Sequence, residues 1–293
     1  MIVKKSGTIL LNLKTKQIGL VYRNHKNDYS FPKGHLENGE TLQQCAVRET
    51  EEETLRTNHL LLNREIYTLK YTTPLGENVE CYFYISIDDG STSQNINLKD
   101  QEILKWIDPK DIEKILSYDN LKVFWNQIKN PIMAILENNG NLSPAILTDL
   151  GICPTCYDKE NNNCLYGDIS DRLLFENNNF ECFLVNNPRA EGHTVISTKN
   201  HYKDMMEIPD ELCSSIFIFA KKVMNVLKEV YKSESVYLCT MCDGPMNHFH
   251  VQLIPRYRFE KRGSKNFVKP RKNYIEDKEK IKQIRNLLKQ RQI

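Results

Sequence analysis

At 293 residues the chain is long for one hydrophobic core and suits two domains. Its 40% apolar and 27% charged residues are those of a globular protein, and apolar runs such as Ile216 to Ala220 are far too short to cross a bilayer, so no membrane role is expected. The opening MIVKKSGTILLNLKTK lacks the apolar core and cleavage site of a signal peptide, which makes a cytoplasmic location the expectation; nine scattered cysteines, an odd number, argue against a disulfide framework and for reduced thiols with one metal site.

Strand patterns cover residues 2–11 and 18–23, joined by a turn at 14–17, and a loop follows to about residue 40. Thr41 opens a helix, and Gln44 three positions later makes a capping box. Two β-rich runs, EIYTLKYT and VECYFYISI, flank a turn at Pro74 to Gly76. Trp106 stands just before Asp108 and Pro109, which start another helix; residues 119–129 read as a helix that Pro131 stops or kinks. The polar stretch ENNGNLSP marks a domain boundary, giving a first domain over 1–135, a linker over 136–149 and a second domain over 150–259. That second domain shows strands at about 172–176, 180–186 and 193–198, a long amphipathic helix from Ile208, and strands over VYLCTM and HFHVQLIP.

The last segment, 260–293, is a basic and helical tail. It holds 12 Lys/Arg and 4 Asp/Glu, a net +8 on a body that carries −6. Such a tail points to an anionic partner, RNA among them. Ile281, Ile284 and Leu288 recur at helical spacing, which favours a plain amphipathic helix instead.

In the helix opened by Thr41, Leu42, Cys45 and Ala46 share one stripe. Steps of three and four continue that stripe to Glu49, Glu52 and Glu53, so the carboxylates follow the inward face. Clustered carboxylates raise one another's pKa unless a cation joins them, and hard oxygen ligands suit magnesium or manganese. The alternative is a solvated EEE run paired with Arg48 and Arg56. Upstream, FPKGHLENGE turns at Gly34 and Gly39 before a helix N-terminus, a setting that holds phosphate, with Lys33 as an added cation.

The spacing Gly34, five residues, Glu40, seven residues, Arg48-Glu49, then Glu52-Glu53 resembles the Nudix box, and the flanking elements over roughly 1–130 resemble the Nudix α/β/α sandwich. The resemblance implies hydrolysis of a nucleoside diphosphate linked to another group. Glu49, Glu52 and Glu53 would hold magnesium, with Glu52 or Glu53 placing or deprotonating the attacking water. Arg48 would brace the carboxylates from behind; Lys33, Gly34 and Arg48 are the front candidates for nucleotide binding, and Glu102 is a further ligand candidate. The chain departs from the family at Leu55, where Gly is usual, and at Thr50 and Arg56, where aliphatic residues are usual. The FPKGH opening is similar to that of diadenosine polyphosphate hydrolases.

In NHFHVQLIPR, His248, His250 and Gln252 alternate with Phe249, Val251 and Leu253, which puts three polar groups on one face of a strand that Pro255 ends. The run resembles the histidine-triad motif with Gln in third place, as in the galactose-1-phosphate uridylyltransferase and dinucleoside-polyphosphate phosphorylase branch. Asn186, Gly192-His193 and His201 match the upstream part of that pattern. The fold implied is an antiparallel sheet with helices, so the whole chain is expected to be of the α/β (α+β) class. The resemblance implies that His250 attacks the α-phosphorus to give a nucleotidyl-histidine, that Gln252 and Asn247 steady a nonbridging oxygen, and that Asn186 reaches the ribose.

Cys153-x-x-Cys156 is half of a tetrahedral zinc site. In relatives with this pair the remaining ligands match His201 and His248, a closed structural set; Cys239 and Cys242 read as strand-end packing. The expected partners are a nucleotide such as a dinucleoside polyphosphate or a nucleotide sugar, with capped RNA ends and a homodimer left open. A nucleotide sensor with one or both sites inactive is the alternative to an enzyme.

Overall fold

The computed structural model describes residues 2–94, 102–242, 244–273 and 277–291, and its contacts divide the chain after Gly151 into two units. In the first, β1 (Ile2–Asn12) and β2 (Gln17–Arg23) form the expected hairpin. The segment to residue 40 is not a bare loop. It holds two three-residue strands, β3 (Asp28–Ser30) on β2 and β4 (Lys33–His35) on β1; strands so short show no period to read. The helix α1 (Leu42–Thr54) opens on the expected capping box, with bonds of 2.9 and 3.2 Å between Thr41 and Gln44.

Then come β5 (Arg56–Leu60), β6 (Tyr67–Thr72), β7 (Asn78–Thr92) and β8 (Glu102–Ile107), followed by the helices α2 (Ile112–Ile115), α3 (Asp119–Glu137) and α4 (Pro144–Asp149). The sheet order is β3-β2-β1-β7-β5, with β4, β6 and β8 pairing β1, β7 and β2. β1 and β7 run parallel in a register that sets Gly7 beside Phe83 and Thr8 beside Tyr84. Thr8 and Phe83 therefore point to opposite faces. Thr8 meets Thr50 of α1, and Phe83 stacks on Phe124 of α3 at 4.7 Å. Helices thus cover both faces of the sheet, as the α/β/α expectation requires.

Pro131 does not stop α3. The helix runs through it to Glu137, because Ile128, Pro131, Ile132, Ile135 and Leu136 are all buried and this apolar face outweighs one missing backbone bond. The stretch expected to be a linker contains α4, which belongs to the first unit.

The second unit opens with α5 (Pro154–Glu160) and builds an antiparallel sheet from β9 (Leu173–Glu176), β10 (Phe180–Leu184), β11 (Thr194–Thr198), β12 (Ser235–Cys239) and β13 (His250–Arg256), ordered β12-β13-β11-β10-β9. The helix α6 (Asp210–Tyr231) buries Ile216, Phe219, Ala220, Val223 and Val226 in the core of this unit. β13 begins at His250 and passes through Pro255 to Arg256. Pro255 is tolerated because pairing with β11 has ended at Leu253, leaving β12 as its neighbour. The basic tail carries α7 (Lys278–Gln290), whose Ile281, Ile284 and Leu288 are buried in the same core as α6. Its Arg285 donates to the Leu173 carbonyl at 2.7 Å. The plain amphipathic reading of the tail is the one observed.

Candidate active sites and a candidate metal centre

α1 buries Cys45, Ala46, Thr50 and Thr54. Glu49, Glu52 and Glu53 border that stripe and are half-buried, as the helical period implied. Arg48 is their common counter-ion. Its Nη1 donates to Glu49 at 2.8 Å and Glu52 at 3.2 Å, its Nε and Nη2 to Glu40 at 2.8 and 2.9 Å, and its Nη2 also to the His35 carbonyl. These bonds hold the Glu40 carboxyl well below its usual range. The guanidinium fork is filled by acceptors of the protein itself, so Arg48 stands as a brace for the carboxylates.

Glu53 accepts from the Lys33 backbone N–H at 2.9 Å. Burial pushes its carboxyl up to about 8; the Lys33 charge opposes the rise, and Glu102 and Glu49 add to it. A carboxyl kept protonated by burial and like charge is one that a divalent cation would ionise. Glu102 at the start of β8 is thus close enough to act on Glu53. Gly34 is extended within β4 and makes no tight turn; the left-handed residue is Gly39, with φ 84°. The absent side chain at Gly34 makes room for Glu49, whose Oε2 would lie 1.9 Å from a Cβ there. Among the described residues the three glutamates are not drawn together as a ready ligand cluster.

In the second unit His248 lies just before β13, His250 is its first residue, and Gln252 follows on the same face. His250 Nδ1–H donates to the His248 carbonyl at 2.9 Å. That bond assigns the proton to Nδ1 and leaves Nε2 with its lone pair, to which Gln252 Nε2 donates at 3.2 Å. Burial lowers the His250 pKa, with His248 and Arg271 adding to the effect, which favours the neutral ring. Asn186 is exposed and lines a cleft of about 280 Å³ with Gly192, His193 and Tyr231. Asn247 donates to the Gly244 carbonyl at 3.1 Å and closes the turn before the histidines.

Cys153, Cys156, His201 and His248 come together from α5, the segment after β11 and the approach to β13, with ligand atoms within 4.8 Å of one another. The Sγ–Nδ1 separations are 3.6 Å for Cys153–His248 and 3.4 Å for both Cys156–His201 and Cys156–His248. A tetrahedron with Zn–S of about 2.3 Å and Zn–N of about 2.05 Å has S–N edges of roughly 3.5 Å. The four residues therefore fit zinc. His248 Nε2 lies 2.7 Å from the Thr198 carbonyl, the second hydrogen bond that a zinc-bound imidazole makes. Without a metal the thiols share a proton: a hydrogen bond from Cys156 lowers the Cys153 pKa, and the same contact raises that of Cys156.

The NUDIX domain model matches residues 4–125, and the HIT domain model matches residues 167–259. An uncharacterized HIT-like protein of Methanocaldococcus jannaschii is 32% identical over 96 residues, which span 31% of this chain and 73% of the relative. The chain is a HIT-family protein with a Nudix domain in front. An 8-oxo-(d)GTP phosphatase of Mycolicibacterium smegmatis is 30% identical over 119 residues, covering 40% of this chain and 35% of that protein. A zinc-bound histidine triad family protein from Mycobacterium smegmatis, known from its crystal structure, is 19% identical, with 48% of this chain and 95% of that one covered and a TM-score of 0.38. The two domains together support an enzyme acting on nucleotide phosphoanhydrides, and no described helix is long and apolar enough to cross a membrane.

Sequence reasoning passed over several residues of these sites. In the Nudix domain Lys5 of β1 stands in the field of Glu49 and Glu53; burial and Lys33 lower its pKa. One lysine in a strand with three others nearby carries no signal. In the HIT domain His193 is 1% exposed, and its Nδ1 accepts from the Arg189 N–H at 3.2 Å. Burial above all, then Arg271, pushes it down to about 3. Gly192-His193 was visible as a motif; that the ring would sit beside Gln252 was not.

Proposed function

We propose that the protein is a two-site enzyme for nucleotide phosphoanhydrides, with a dinucleoside polyphosphate as the favoured substrate and a nucleotide sugar as the next. The observation that carries the reading is the hydrogen-bond polarity at His250. Its Nδ1–H is committed to the His248 carbonyl, and the lone pair is therefore on Nε2, beside the amide of Gln252. His250 attacks the α-phosphorus through Nε2, forming a nucleotidyl-histidine, while Gln252 donates to the charge that develops on a nonbridging oxygen. Asn186, in the adjoining cleft, holds the ribose. Zinc, bound by Cys153, Cys156, His201 and His248, would supply rigidity. Because the carbonyl of His248 orients His250, a fixed His248 also fixes the tautomer of the nucleophile.

In the Nudix domain Glu49, Glu52 and Glu53 would hold magnesium or manganese, which would supply Lewis-acid activation of water and charge neutralisation. Glu52 or Glu53 would place or deprotonate the water; Arg48 holds Glu49 and Glu52 in line, and Lys33 would meet the departing phosphate. A second reading, a Nudix domain that binds nucleotides without turning them over, is favoured by one observation: its carboxylates are paired off with Arg48 and the Lys33 amide.

The test is a magnesium-dependent turnover screen with dinucleoside polyphosphates, nucleotide sugars and capped RNA, on wild type, Glu53→Gln and His250→Ala. Loss of a different step in each variant supports the two-site enzyme. No turnover, with nucleotides still raising the melting temperature, would replace it by the sensor. Metal analysis should return one zinc per chain in wild type and less than a tenth of that in Cys156→Ser.

A further inference from the structure

The matched HIT region ends at residue 259, yet the chain returns to the HIT site afterwards. Three hydrogen bonds lay residues 269–272 across the loop between β10 and β11. Arg189 Nη1 donates to the Lys269 carbonyl at 2.7 Å, Lys272 N–H donates to the Pro188 carbonyl at 3.0 Å, and Arg271 Nη1 donates to the Asn187 carbonyl at 3.3 Å. The same loop reaches the nucleophile: the Arg189 N–H donates to His193, His193 adjoins Gln252, and Gln252 donates to His250.

Two arginines are thereby brought close to His193, and Arg271 also acts on His250. Among the described residues neither Arg189 nor Arg271 forms an ion pair, and the Nε of Arg189 is buried with no hydrogen-bond partner. Among the described residues, Glu191 and Asp277 of the cleft are paired with Lys280 at 2.5 and 3.8 Å, and Glu260 with Lys269 at 2.6 Å. Each arginine lowers the pKa of His193, and Arg189 lowers that of Arg271, as uncompensated like charges do. Holding two guanidinium groups together with an unfilled donor is unfavourable in the free protein and becomes favourable once an anion bridges them.

We propose that Arg189 and Arg271 form an anion subsite for the phosphate next to the one that His250 attacks, so that the HIT domain selects nucleotides whose leaving group is itself a phosphate. This rests on the covalent reading of His250. As Nε2 bonds to the α-phosphorus, the bond to the bridging oxygen breaks, and its electron pair stays on the departing phosphate, which gains one negative charge. The arginines receive that charge. A substrate whose leaving group departs neutral, such as adenosine 5′-phosphoramidate releasing ammonia, draws nothing from them.

The test measures single-turnover formation of the His250 adduct by intact mass. It uses the full chain carrying Glu52→Gln and Glu53→Gln, so that the Nudix site consumes no substrate. Diadenosine polyphosphate is compared with adenosine 5′-phosphoramidate, in this parent and with Arg271→Gln or Arg189→Gln added. The expected result is a rate loss at least tenfold greater for the polyphosphate than for the phosphoramidate. Equal losses, or none, would overturn the subsite while leaving the nucleophile in place. No adduct in the parent from either substrate would remove the covalent reading and the subsite with it. Inorganic pyrophosphate gives a second measure on the parent, where it should slow adduct formation from the phosphoramidate at millimolar concentration; absence of inhibition counts against the subsite.

Discussion

Gly34→Ala tests the Nudix site with one methyl group. A Cβ at residue 34 would stand 1.9 and 2.3 Å from the two carboxylate oxygens of Glu49, whereas real Cβ contacts keep about 3.0 Å, so the carboxylate must retreat by about 1.1 Å. The backbone has little freedom to yield instead, because β4 is held on β1 with Gly34 opposite Ser6. Its conformation is extended, so alanine itself brings no φ strain. The fold loses at most the Arg48–Glu49 pair, a partly exposed contact worth about 0.5–1 kcal/mol. Function loses far more. Misplacing a catalytic group by ~1 Å costs on the order of 10²-fold, or about 3 kcal/mol of transition-state stabilisation. The expected outcome is a melting temperature within a few degrees of wild type, a roughly hundredfold fall in magnesium-dependent turnover, and a higher magnesium concentration for half-activation. Adduct formation at His250, in the other unit, should be unaffected. Turnover within threefold of wild type would refute the assignment of Glu49 as a ligand in this geometry.

Three further outcomes can be measured by denaturation. Leu55 ends α1 in the left-handed region, φ 56° and ψ 29°, and its side chain is 40% exposed, so Leu55→Gly should stabilise the first unit by about 1 kcal/mol in urea titration; a loss of stability would mean that its packing outweighs the strain. The buried hydroxyls of Thr8 and Thr50 lie 2.8 Å apart, and Thr50 also donates to the Ala46 carbonyl. Thr50→Val should cost about 1–3 kcal/mol by orphaning Thr8, while Thr8→Val with Thr50→Val should return to within about 1 kcal/mol of wild type; strictly additive effects would deny the coupling. In the second unit burial holds His193 down to about 3 against 6.5 in the unfolded chain. The unfolded state then takes up the proton first, so this stability is complete above pH 6.5 and fades as the pH falls toward 3. Between pH 7 and 4.5 the loss is about 2.5 kcal/mol, and His193→Gln should flatten that part of the profile; equal slopes for both proteins would reject the buried neutral imidazole.

The sequence could place these side chains because they lie in short, periodic segments. Glu49, Glu52 and Glu53 are bound to one side of a helix by its 3.6-residue turn, and His250 and Gln252 to one face of a strand by its two-residue repeat. What escaped was set by contacts distant in sequence. Pro131 passes unbroken through α3 because residues on both sides of it are buried, and β3 and β4 exist because β2 and β1 offer them edges. The three departures from the Nudix pattern make the same point. Thr50, where an aliphatic residue is usual, is matched by Thr8, which is 42 positions away. Arg56, likewise, closes a two-bond fork on Asp88 at 2.9 and 3.0 Å. Leu55 alone has no such partner and keeps the left-handed backbone that glycine would adopt freely. Two departures are thus repaired by second residues, and the third leaves strain at the exit of the helix that carries the carboxylates. A motif read along the chain shows all three as mismatches of equal weight; only the folded neighbours separate a compensated change from an uncompensated one. The carboxylates lie on α1 upstream of Leu55, so the strain falls on stability, and the placement of Glu49 and Glu52 rests on Arg48 and Gly34.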